Sequence, residues 1–133
     1  MMHDNHFLRE RFLEIYRRYF SDIQLKNKVV LRFGRKTKTR LGSIMLNRKK
    51  ESIVTINGLF RDPQVPVFMI DATLAHEFVH YLHGFSSEKE QLYSYPHRGG
   101  IVDRELKKRG LAEILLKQKI WLKEEWPKII RNR

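Results

Sequence analysis

The stretch VFMIDATLAHEFVHYL, residues 67–82, decides how the rest of the chain is read. It is an apolar run that predicts a helix. Pro63 and Pro66 precede it, which suits a helix start, and Gly84 follows Leu82-His83, which suits a helix end. Within it lies His76-Glu77-Phe78-Val79-His80, an H-E-x-x-H motif. Residues i and i+4 share one helical face, so two imidazoles can grip a single zinc ion. The intervening Glu77, rotated by about 100°, can reach a water on that metal and act as its base.

A catalytic zinc takes three protein ligands and keeps one position open. His97 is the expected third ligand. It ends a polar, turn-like segment (residues 85–97) and precedes a new helix, where the chain can return to the motif. His83, Glu88, Glu90 and Glu105 are the competitors, and Glu105 would make a His₂Glu site. The metzincin continuation is absent, because His83 stands at its glycine and Ser86 at its third histidine. The oxyanion of the reaction needs one further donor beside the metal. Tyr81, Tyr93, Tyr95 and His83 are equally eligible by position. Asp71 and Asp103 are candidates to orient the ligand imidazoles, and Asp71 alternatively ties the helix to the sheet.

Working outward, Leu8, Phe12, Ile15, Tyr16 and Tyr19 recur at helical spacing and predict an amphipathic helix over residues 4–20, capped by Asp4. Arg9, Arg11, Arg17 and Arg18 fall on its solvated side. Val29–Phe33, Leu41–Leu46 and Ile53–Ile56 are short, β-branched strand candidates, joined most simply as antiparallel hairpins. Ile53–Ile56, just before the motif helix, is the expected edge for an extended peptide to pair with. A helix restarts near Arg98-Gly99-Gly100 and runs to Arg109. The last, Leu111 to about Trp126, buries Leu111, Leu115, Leu122 and Trp126 before Pro127 ends or kinks it. The expectation is one α+β domain over residues 1–133. It has an N-terminal helix, a three-stranded, mainly antiparallel sheet, the motif helix and further C-terminal helices, with residues 111–130 as an extension.

The chain has 133 residues, 41% of them hydrophobic, enough for a buried core. No run reaches the length of a membrane span, and Met1 to His6 lacks the pattern of a signal peptide. With no cysteine there is no disulfide and no thiolate ligand, which leaves His, Asp and Glu as metal ligands. A cytoplasmic, monomeric protein is the default expectation. Lys and Arg number 27 against 15 acids, a net charge of +12. Residues 26–50 carry ten of those cations up to Lys50 without an acid, which predicts a phosphate-facing strip able to contact DNA.

Three blocks resemble the SprT-like zinc metallopeptidases. These are Ile53-Val54-Thr55-Ile56-Asn57, Asp71-x-x-Leu74-Ala75-His76-Glu77-x-x-His80, and Pro96-His97 with Ile101-x-x-x-Glu105-Leu106 and Gly110-Leu111. The resemblance covers about residues 25–111. It implies a compact zincin-like fold, zinc on His76, His80 and His97, and Glu77 as catalytic base. That family includes the Spartan-type proteases that cut proteins crosslinked to DNA. Here His97 is followed by Arg98 rather than glycine, and the chain lacks the Cys₄ ribbon that many members carry. The expected activity is zinc-dependent hydrolysis of peptide bonds in flexible or unfolded protein, including DNA-associated protein. The alternative is a basic nucleic-acid-binding domain with a structural or vestigial metal site.

Overall fold

A computed structural model describes residues 2–132 of the chain. Asp4 opens the first helix, α1 (Asn5–Tyr19), by accepting the Phe7 N–H at 2.9 Å. That bond satisfies one of the donors a helix start leaves unpaired. Leu8, Phe12 and Ile15 form the buried stripe of α1. Three strands follow: β1 (Val29–Phe33), β2 (Gly42–Leu46) and β3 (Ser52–Ile56). The remaining helices are α2 (Val67–Leu82), α3 (Ile101–Lys108), α4 (Ala112–Glu124) and α5 (Trp126–Arg131). The architecture is α+β.

The sheet is mixed, with order β1-β3-β2. β2 lies antiparallel to β3, Gly42 opposite Ile56, whereas β1 lies parallel to it, Val29 opposite Ser52. The mainly antiparallel sheet expected from hairpin connections is therefore corrected at β1. The physical reason lies in the loop from Gly34 to Leu41, which crosses the end of β3 instead of folding back. It is fastened there by Gly34 N–H to Ile56 O (2.9 Å) and Gly58 N–H to Arg35 O (3.1 Å). Ser-Ile-Val-Thr-Ile of β3 is buried at four of five positions, the pattern of a central strand.

β3 is therefore no free edge for an extended peptide to pair with, which corrects that expectation; β1 and β2 are the edge strands. Leu41 O accepts from Asn57 N–H, and Asn47 N–H donates to Glu51 O, both at 2.9 Å. In an antiparallel ladder the bonded positions alternate, so the odd-numbered residues of β2 face β3. Gly42, Ile44 and Leu46 turn their peptide groups to the free side.

The core runs from Leu8 on α1 to Trp126 on α5. Phe78 on α2 meets Phe12, Tyr16 and Phe20 edge-on, with ring centroids 4.9–5.8 Å apart. Trp121 and Trp126 pack against Phe60. Arg11 departs from its expected solvated position. Its guanidinium grips Asp71 with two bonds, 2.9 and 2.7 Å, so Asp71 ties α2 to α1 rather than to the sheet. The helix pair α4–α5 breaks at Glu125, with Pro127 in the first turn of α5. Among the described residues no helix is long and apolar enough to cross a membrane.

The basic residues of segment 26–50 fall in two groups, with the exposed Arg32 on β1 between them. Lys26, Lys28, Arg48, Lys49 and Lys50 gather where β1 begins and β2 ends, since Ser52 N–H bonds Lys28 O there. Arg35, Lys36, Lys38 and Arg40 sit on the loop at the opposite end, roughly 17 Å away at 3.3 Å per strand residue.

Candidate metal centre

Thr73, His76, Glu77 and His80 follow i, i+3, i+4, i+7 spacing and share one face of α2. All four line a cavity of about 650 Å³. The first residues of β2 form a facing wall. Gly42 makes this approach feasible, because a Cβ there would lie 2.7 Å from Thr73 Cγ2. Residues 84–97 bring the third histidine. The segment turns at Gly84 (φ +86°), where a Cβ would meet the Glu90 carbonyl oxygen at 2.3 Å.

His97 Nε2 lies 3.3 Å from His76 Nε2 and 3.0 Å from His80 Nε2. Two imidazole nitrogens on one tetrahedral zinc, each about 2.0–2.1 Å from the metal, stand roughly 3.3 Å apart. The three residues thus have both the chemistry and the spacing of a His₃ site, and they form the one group of this kind among the described residues. His80 is buried, His76 half-buried and His97 exposed, so the cluster opens toward solvent on the His97 side. Burial, with the neighbouring imidazoles second, lowers His76 and His80 to about 4. Both rings are then neutral near pH 7, the form that binds a divalent ion.

Glu77 is 6% exposed, and burial pushes its carboxyl up to about 7, partly opposed by the Arg40 guanidinium. A carboxyl poised near neutrality can both take and return a proton.

The structure separates the remaining candidates. His83 is buried with its Nε2 3.8 Å from Glu105 and its ring against Tyr93. Glu105 itself bonds Arg109 at 2.7 Å, so neither joins the histidine cluster. Glu88 and Glu90 are exposed on the loop. Tyr81 is fully buried, its hydroxyl accepting the Lys26 N–H and donating to Asn27 Oδ1, both at 2.8 Å. Tyr81, Tyr93, Tyr95 and His83 all lie outside the cavity lining, whereas Arg40 lies within it. Asp103 also lines the cavity, 3.4 Å from Lys119. Asp71 is committed to Arg11, and the buried His80 Nδ1 has no hydrogen-bond partner among the described residues.

Sequence reasoning placed Arg40 only in the basic segment and Leu122 only in the core, and passed over Gln118 and Lys119; all four complete the wall. A lysine and a glutamine on an amphipathic helix carry no local signal beyond a solvated face. No family model matches the chain, and neither a curated protein nor a solved structure does.

Proposed function

We propose that this protein is a zinc-dependent metalloendopeptidase of the SprT-like kind, acting on flexible or unfolded polypeptide. The observation that carries the reading is the convergence of three imidazole nitrogens within 4.8 Å of one another, beside a buried glutamate in an open cavity. His76, His80 and His97 would hold the ion, and the donor set fits zinc. When bound, zinc supplies Lewis acidity that polarises the scissile carbonyl and makes a nearby water acidic.

The rest of the chemistry belongs to the chain. Glu77 takes a proton from the attacking water as the new C–O bond forms, then returns it to the leaving nitrogen as the C–N bond breaks. The free peptide groups of Gly42, Ile44 and Leu46 hold an extended substrate beside that carboxylate. A substrate bound by its main chain must present several residues in extended form, which favours unfolded segments over folded ones. The basic charge supports recruitment to DNA, and with it DNA-associated proteins as substrates.

A structural His₃ site on a nucleic-acid-binding domain needs no carboxylate on its open side. The deciding experiment compares zinc-loaded wild type and Glu77→Gln on denatured casein. Glu77→Gln should keep about one zinc per chain and lose about 10²- to 10⁴-fold in hydrolysis. Undiminished hydrolysis by that variant removes Glu77 from the mechanism. A zinc-loaded wild type that cuts nothing returns the chain to the nucleic-acid reading.

A further inference from the structure

A second cavity, of about 630 Å³, shares Thr39, Arg40, Gly42 and Ser43 with the first. The two meet at the start of β2, where Gly42 packs toward Thr73 of α2 while Ser43 and its sheet partner Thr55 line the second cavity on the opposite face. The trough they make thus wraps round this end of β2 from the histidine cluster. Arg35, Lys36 and Arg40 line its far part, and no carboxylate does. Among the described residues, none of these three forms an ion pair, and neither does the adjacent Lys38.

The loop that carries these cations is held rigidly. Asn57, 4% exposed, donates through Nδ2 to Thr37 O (2.7 Å) and Arg40 O (2.8 Å). Its Oδ1 accepts the N–H groups of Thr37 at 3.2 Å and Leu59 at 2.9 Å. One buried amide thus fixes the backbone beneath the charges. Unpaired cations on a fixed, concave loop repel one another and are relieved by an anionic guest.

We propose that the trough selects extended peptides bearing Asp or Glu within about three residues of the bond to be cut, with those carboxylates seated among Arg35, Lys36 and Arg40. The inference rests on the peptidase reading and adds the substrate class to it. Polypeptide is favoured over nucleic acid by two features. The outward peptide groups of Gly42 and Ile44 offer the alternating donors and acceptors that an extended chain matches. The basic part of the trough also has no aromatic side chain on which a base could stack. Alternate side chains of an extended peptide recur about every 6.6 Å on one face, so one or two carboxylates can meet the three cations together.

The test uses Glu77→Gln protein, which should bind without cutting, and labelled decapeptides of equal length rich in Glu, Gln or Lys. Fluorescence anisotropy at low salt should show the Glu-rich peptide binding on the order of tenfold more tightly than the Gln-rich one. Salt should shrink that ratio. Adding Arg35→Glu and Lys36→Glu should reverse the order in favour of the Lys-rich peptide, which general damage to the fold would not do. Equal binding of Glu- and Gln-rich peptides overturns the inference, whatever casein hydrolysis shows. Selective binding by a protein that cuts no casein sinks the peptidase reading and leaves the acidic-peptide trough standing. A DNA oligonucleotide that displaces the Glu-rich peptide at lower concentration, and loses its own affinity in the charge-reversed variant, makes the trough a nucleic-acid site and overturns the proposal.

Discussion

His97 is the exposed member of the cluster, and both short nitrogen–nitrogen distances converge on it. Its removal costs little packing, yet leaves two histidines on one helix face with no third donor. His97→Ala should therefore fold normally and lose most bound zinc. Elemental analysis of the dialysed variant measures this, and a full equivalent of zinc would hand the position to another residue. Glu105 is a poor substitute, because Arg109 and His83 already engage its carboxylate. This residue was legible in the sequence since the motif demands a third ligand and few histidines follow it. Arg40 was not. A cation in a basic loop gains its meaning from what the fold sets opposite, and that is the face of α2 carrying Glu77.

Helix boundaries were written locally. Asp4 caps α1, Pro66 precedes α2, and the apolar spacing of α1 matches its buried face. Strand partnership was not written locally. Alternation tells which side of a strand is wet, but β1 reaches β3 across 23 residues of sequence (Val29 to Ser52), with β2 formed between them. The Arg11–Asp71 clamp was hidden for a similar reason, since an arginine on an amphipathic helix reads as solvated until its neighbour is known. Asp71 is 8% exposed and takes both bonds from Arg11. Arg11→Leu should then destabilise the protein by roughly 2–3 kcal/mol, chiefly by stranding a buried carboxylate. Arg11→Leu with Asp71→Leu should cost less than the single change. Urea midpoints decide this, and simple additivity of the two substitutions would argue against a clamp.

Across the whole molecule, buried histidines push the metal-free protein toward lower stability in acid. Burial lowers His83 below its ordinary 6.5, with Glu105 opposing and Arg109 adding to the shift. The unfolded chain therefore takes up a proton near pH 6.5 that the folded chain refuses until lower pH. The stability that a neutral His83 contributes is complete above about 6.5 and falls as the pH drops toward the folded value. His76 and His80 act in the same direction, whereas Glu77, pushed up to about 7 by burial, adds stability as the pH falls through that value and opposes them. His83→Gln should flatten the loss of stability below pH 6.5, as read from urea midpoints at successive pH values. An unchanged slope would remove His83 from the acid response.

The path from His80 to His97 is a ring-closing problem. Bringing two points about 15 residues apart together costs a free chain about 3 kcal/mol of entropy. Here the intervening segment is already stitched down, by Phe85 N–H to His80 O and Leu92 N–H to His83 O, both at 2.8 Å. Ser87 Oγ adds a bond to Tyr81 O at 2.9 Å, and Ser52 Oγ one to Ser86 O at 2.7 Å. Folding thus absorbs the closure as far as Leu92, so an ion on the three histidines would have only the short run from 93 to 97 left to order.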